Sequence, residues 1–205
     1  MNELIMGNIF EFNGYIPVID STAFIHPTAS IIGNVVIGKN VFIGPGASLR
    51  GDIGEIIIED NCNVQDNCTI HMFPGASVIL KEYAHIGHNA VIHGAYIGHN
   101  VLVGMSSVVM DNSKIGDHSI IGALTFVPEN MEIPERKIVV GNPARIIKDV
   151  PEKMSDWKKL GTEVYIQTAK DAILTLKECE PLYAVPKGRK IQPATLKTWK
   201  EFKEE

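Results

Sequence analysis

Basic charge is scarce over most of this chain. Through Asp149 it carries 8 Lys and Arg against 15 Asp and Glu, and the remainder carries 11 against 9. Neither part offers the basic stripe that a nucleic-acid surface requires, so no nucleic-acid partner is expected. Long hydrophobic runs are missing too: no stretch approaches the roughly 20 apolar residues of a membrane span. Met1-Asn2-Glu3-Leu4-Ile5-Met6 lacks the basic and apolar regions of a secretory leader. The expectation is a cytoplasmic protein without a membrane partner. Cysteine is limited to 3 residues, an odd number that does not suggest a disulfide framework and agrees with a reducing compartment. What remains is 45% hydrophobic and 21% charged over 205 residues, ordinary for a soluble globular protein and long enough for one domain with a proper core.

The dominant pattern is a six-residue repeat. Aliphatic residues recur at Ile25, Ile31, Ile37, Ile43 and Leu49, resume at Ile58, Val64 and Ile70, then at Val78, Ile86 and Ile92, and continue from Ile97 to Val127. Two residues before each, the site is usually small or β-branched, as at Ala29, Cys62, Cys68, Ala90 and Ser107, and Gly often follows. A period of six cannot keep one face of a 3.6-residue helix inward. A short strand and a turn can, with the aliphatic residue in a shared core, so the pattern predicts a parallel β-helix of stacked rungs. Cys62 and Cys68 fall on the small-residue track and are expected to fill space rather than act as nucleophiles.

The period fails at Pro128-Glu129-Asn130. Residues 1–150 are therefore assigned to the β-helix and its end cap, and residues 151–205 to a C-terminal segment packed on it. Met154, Trp157, Leu160, Val164, Ile173, Leu174 and Leu176 lie at roughly helical spacing, interrupted at Gly161, which predicts one or two helices along the outside. Pro181 to Glu205, rich in Pro, Gly and charge, is expected to be an arm or partly disordered.

If three hexads make one coil, Leu49, Ile70, Ile92 and Val109 are equivalent, and Arg50, His71, His93 and Met110 form one outward column. Parallel strands lie about 4.7–4.9 Å apart, so two stacked imidazoles can converge on one ion at Zn–N distances of about 2.0–2.1 Å. His88 follows Ile86 by two residues and belongs to the preceding face. In a trimer around a three-fold axis, such a corner residue can face the column of a neighbour. Three His ligands with one open position describe a catalytic metal site rather than a closed structural one. His26, His99 and His118 are read as solvent-exposed surface residues.

The ordered set Arg50-Gly51-Asp52, Asn63-Val64-Gln65-Asp66-Asn67, His71, Ile86-Gly87-His88, Ile92-His93-Gly94 and Leu102-Val103-Gly104-Met105 resembles the γ-class carbonic anhydrase family. Trp157-Lys158-Lys159, Gly161-Thr162, Tyr165, Glu180-Pro181-Leu182 and Gly188-Arg189-Lys190 resemble the PaaY- and CaiE-like branch of that group. The resemblance implies a left-handed β-helix with three hexads per turn and a C-terminal helical segment. It also implies a homotrimer that binds Zn2+, or Fe2+ or Co2+, through His71 and His93 of one chain and His88 of the next. Gln65 would hydrogen-bond the water at the metal, and Arg50, Asp52 and Asp66 would support the site and the subunit interface.

A metal in such a site supplies hydroxide near neutral pH, and the first expectation is hydration of CO2 to bicarbonate. Founding members of the family carry Glu just after Arg-x-Asp and an acidic loop after the first zinc His. Here Ile53 and Met72-Phe73-Pro74-Gly75-Ala76-Ser77 stand there, which predicts slow or buffer-dependent hydration, with His85 the one candidate for a replacement proton relay. The apolar loop with Phe73 suits the alternative, hydrolysis of an acyl-CoA thioester at the same metal. An acyltransferase and a non-catalytic trimeric scaffold are further alternatives.

Overall fold

A computed structural model describes residues 7–194 and 196–204; the reading of Met1 to Met6 lies outside them. Short parallel strands stack on three faces. The first face takes the start of the long strand Ser48–Ile58, then Thr69–His71, Val91–His93, Val108–Val109 and Phe126–Val127. The second takes the end of Ser48–Ile58, then Ser77–Leu80, Tyr96–Ile97, Lys114–Ile115 and Glu132–Ile133. The third stacks Phe24–Ile25, Phe42–Ile43, Asn63–Val64, His85–Ile86, Leu102–Val103, Ile120–Ile121 and Lys137–Val140, and Arg145–Asp149 returns antiparallel against the last.

The register bears out three hexads per coil. Ile31 pairs with Leu49, Leu49 with Ile70, Ile70 with Ile92 and Ile92 with Val109. All five are 0% exposed, each burial contributing about 1.5–3 kcal/mol, while alternation sends the following residue outward. One hexad assignment is corrected: Leu80, not Val78, stands on the track of Ile58 and Ile97, and Val78 pairs with Ile56. The loop after His71 adds residues, so the phase slips by two and the same side stays inward. Cys62 and Cys68 are buried, and burial pushes their thiols up to about 12 and about 11, which agrees with a space-filling role.

The corners follow a signal that the repeat reading passed over. Asn40, Asn61, Asn67, Asn89, Asn100, Asn112 and Asn130 all adopt positive φ, a conformation that Asn tolerates far better than β-branched residues.

Helix α1 (Glu152–Thr175) lies along the third face and runs unbroken through Gly161. An internal glycine costs only about 1 kcal/mol, and anchors on both sides of it hold the helix. Its buried residues are Ser155, Lys158, Thr162 and Ala169, whereas the apolar positions expected to pack include Leu160 and Leu174, exposed at 40% and 77%. The helix docks by hydrogen bonds as much as by apolar area. Lys158 Nζ donates to Tyr83 O (2.5 Å) and Asn100 Oδ1 (2.9 Å), and Ser155 Oγ lies 2.9 Å from His118 Nδ1. Tyr165, Ala172 and Ile173 pack with Ala169 against Phe24 and Phe42. The described residues between α1 and α2 (Trp199–Lys203) are mostly exposed, and just before α2 the chain meets α1, where Trp157 Nε1 donates to Lys197 O at 2.8 Å.

Candidate metal centre

His71 and His93 are register partners on adjacent coils of the first face. Their rings tilt toward each other, with His71 Nδ1 3.3 Å from His93 Nε2. Two nitrogens bound to one tetrahedral ion at about 2.0–2.1 Å stand about 3.3–3.4 Å apart. The pair is therefore spaced as two ligands of a single metal would be.

Carboxylates hold both rings from behind. His93 Nδ1 lies 2.7 Å from Asp111 Oδ2 and 2.8 Å from Oδ1, and Asp111 is 5% exposed. A hydrogen donated from Nδ1 to that carboxylate leaves Nε2 as the lone-pair atom, the arrangement by which carboxylates fix metal-binding imidazoles. Gly94 makes this contact possible, because a Cβ there would overlap Asp111 Oδ1. The sequence reading missed Asp111. The available signal was a glycine next to a candidate ligand, with Asp one coil later.

His71 Nε2 lies 3.0 Å from Asp52 Oδ1, and Arg50 donates to Asp52 Oδ2 at 2.6 Å. Burial alone would raise the Asp52 carboxyl, but hydrogen bonds from Arg50 and His71 outweigh it and hold the group below its ordinary value. Phe73 meets the His93 ring edge-on at 5.5 Å and is 61% exposed, an apolar wall beside the pair.

The other predicted residues gather at a different corner. His88 Nδ1 lies 2.5 Å from Asp66 Oδ2, so a carboxylate again takes Nδ1 and leaves Nε2 outward. Both side chains are 39% exposed. Gln65 is buried beside them in sequence, with Nε2 3.0 Å from Asn63 Oδ1 and 2.6 Å from His85 Nε2. Asn63 Nδ2 is a buried donor without a partner among the described residues.

Thus the structure joins Arg50, Asp52, His71 and His93 in one group and places Asp66 and His88 in another, with Gln65 adjoining. Among the described residues, no three His, Cys, Asp or Glu side chains of one chain converge to hold a metal. The donor chemistry fits a divalent metal ion at the pair of imidazoles, and His88 stands apart from that pair. His85 does not fit a proton relay, since burial holds its pKa well below 6.5 and leaves it a poor base at neutral pH. Nor are His99 and His118 free surface groups: their rings meet edge-on at 5.4 Å, and His118 Nδ1 lies 2.9 Å from Ser155 Oγ of α1. His26 is likewise only partly exposed.

Comparison with known proteins places the chain in a family. The profile described as "Bacterial transferase hexapeptide (six repeats)" matches residues 17–51 and 94–128. The carnitine operon protein CaiE of Salmonella agona is 42% identical over 180 residues, covering 88% of this chain and 91% of the relative. The chain belongs to the CaiE-like hexapeptide-repeat family. CaiE of Escherichia coli K12 is 41% identical with 88% and 92% covered. The CaiE-like chain also superposes on solved structures. A candidate acetyltransferase of Bacillus cereus gives TM-score 0.81 at 30% identity, covering 82% and 98% of the two chains. A hexapeptide transferase family protein of Anaplasma phagocytophilum gives 0.77 at 31%, covering 80% and 96%. The left-handed β-helix of this family is thereby the fold of the chain. Residues 52–93, which hold all the candidate site residues except Arg50 and Asp111, fall between the two matched segments of the profile.

Proposed function

We propose that this CaiE-like protein is a metal-dependent enzyme, a homotrimer whose active sites lie between copies. Each site would take His71 and His93 from one chain and His88 from its neighbour, holding Zn2+ or, with the same imidazole set, Fe2+ or Co2+. The observation that carries this reading is the 3.3 Å separation of His71 Nδ1 and His93 Nε2, with a carboxylate behind each ring. A divalent ion in a trihistidine site lowers the pKa of water from 15.7 to about 7 and so supplies hydroxide at neutral pH.

The protein's own groups do the rest. Asp111 keeps His93 Nε2 free of its proton, and Asp66 does the same for His88. Arg50 and Asp52 hold the His71 ring. Gln65, next to Asp66, orients the attacking oxygen through its side-chain amide. Phe73 offers an apolar surface where an acyl group can lie while water adds to the carbonyl carbon, the C–S bond breaks and the thiol leaves with a proton. The substrate class we assign first is therefore an acyl-CoA thioester, in keeping with the acetyltransferase and transferase descriptions of solved relatives at 30% and 31% identity.

Hydration of CO2 is the second reading, favoured by the trihistidine donor set. Ile53, 41% exposed, and the Phe73 loop place no carboxylate where a proton relay is expected, which argues for slow, buffer-dependent turnover. The test is metal content of anaerobically purified protein, with thioester hydrolysis and CO2 hydration measured on the same sample. About one Zn or Fe per chain with thioesterase activity supports the first reading, and the same metal with CO2 activity alone supports the second. Metal-free protein that ignores added Zn2+ and Fe2+ yet transfers acyl groups from CoA overturns both in favour of a metal-independent acyltransferase.

A further inference from the structure

We infer that the pocket between α1 and the third face of the β-helix is a binding site for a small uncharged apolar molecule, about the size of a single hydrocarbon ring. None of the residues that line it belongs to the proposed metal site, so the two stand or fall separately.

The pocket holds about 190 Å3. Its walls are the side chains of Leu102 on the β-helix, Trp157, Val164 and Tyr165 on α1, and Leu196 on the segment before α2. Gly161 leaves room for it. The helix runs unbroken through that position without a side chain to fill the space. Outside its own helix backbone and among the described residues, a Cβ added to Gly161 would find only Leu196 Cδ2 within 4 Å, at 3.6 Å, which is ordinary contact.

His85 and Lys158 also line the pocket, but their polar atoms are engaged elsewhere. His85 Nε2 lies 2.6 Å from Gln65 Nε2, and its Nδ1 lies 3.3 Å from Thr162 Oγ1. Lys158 Nζ donates to Tyr83 O and Asn100 Oδ1, and Trp157 Nε1 donates to Lys197 O. The surface that faces the pocket is therefore almost wholly apolar. Water needs 2–4 polar partners to settle in such a space, whereas a cavity of about 150 Å3 lined by apolar side chains stays dry and takes up benzene. A charged ligand would give up its hydration without an opposite charge to replace it. Burial pushes the Lys158 amine down to about 7, so above that pH it offers little charge to an anion.

The experiment titrates benzene into full-length protein labelled with 13C at its leucine and valine methyls, at mildly alkaline pH. Saturable shifts should appear at Leu102, Val164 and Leu196, each assigned by substitution. Benzoate and benzylammonium, ring compounds that carry a charge, should bind about tenfold more weakly. Gly161→Ala should weaken benzene binding about threefold by taking up room, and Gly161→Leu should abolish it. Gly161→Leu should also raise the melting temperature, since it fills the space and replaces a poor helix former. Should Gly161→Leu not fold, Gly161→Ala decides, because its added methyl makes only an ordinary contact. The assignment is overturned if benzene gives no saturable shift at those three methyls, or if the Gly161 variants bind it as the wild type does. Benzoate binding as tightly as benzene also overturns it, because the pocket would then present a cation.

Discussion

The two corners that carry the candidate ligands are built on one principle and differ in how far one chain completes them. At each, a carboxylate takes Nδ1 of one histidine, His93 or His88, and leaves its Nε2 free, while Asp52 takes Nε2 of His71. At the first corner the carboxylate is nearly buried, Asp111 at 5% exposure, and two imidazoles already stand at metal-sharing distance. At the second, the side chains of His88 and Asp66 are each 39% exposed and contact each other. One corner is preorganised by its own coils. The other is more open, and in the proposed function the pair and the single histidine are the two halves of a site shared between copies.

The comparison can be broken most decisively by removing a ligand from each half. His93→Ala and His88→Ala should each abolish bound metal and activity, measured by elemental analysis and turnover; a His93→Ala protein that keeps stoichiometric metal would remove His93 from the ligand set. Mixing the two inactive variants at equal amounts under conditions that allow subunit exchange should then restore about one quarter of the wild-type sites, the statistical share in which an intact pair meets an intact His88 across a cyclic interface. No recovery would place all ligands within one chain.

Smaller changes sharpen the contrast between the carboxylates. Asp111→Asn should weaken metal affinity by about 10–100-fold, as loss of a carboxylate behind a ligating histidine does, and Asp66→Asn, at the more exposed corner, should cost less. Competition with a chelator measures both, and equal losses would contradict the asymmetry. The smallest effect lies away from the site. Burial pushes Lys158 down to about 7 from its ordinary 10.5. Between those values the unfolded chain binds a proton that the folded chain does not, so this residue makes stability rise with pH over that window. The urea midpoint should increase from pH 7 to pH 9, and Lys158→Met should flatten the rise.

The β-helix and the helix laid upon it were unequally legible. Period six is a local property, because each rung buries the same aliphatic position, and so Leu49, Ile70, Ile92 and Val109 could be aligned by counting. The column of His71 over His93 followed directly. Counting erred at Val78, because a loop of irregular length precedes a strand that carries two buried apolar residues on the same side, Val78 and Leu80. Helix α1 was harder. Its apolar positions suggested one packing face, while the face that docks carries Ser155, Lys158 and Thr162, since what it meets on the β-helix includes Asn100, His118, His85 and a backbone carbonyl. Hydrogen-bond partners so far apart in sequence leave no periodic trace.

By itself the sequence determined the repeat, the stacked coils, the paired histidines and the absence of acidic side chains around Phe73, all consequences of spacing and residue type. Only the tertiary structure decided that Asp111 stands behind His93, that Asp66 stands behind His88, and that Gln65 is held by Asn63 and by His85 under α1. The physical reason is that burial in a β-helix repeats along the chain and can be counted, whereas the orientation of an imidazole or an amide depends on which polar atoms the neighbouring coil and the docked helix bring within 3 Å or so.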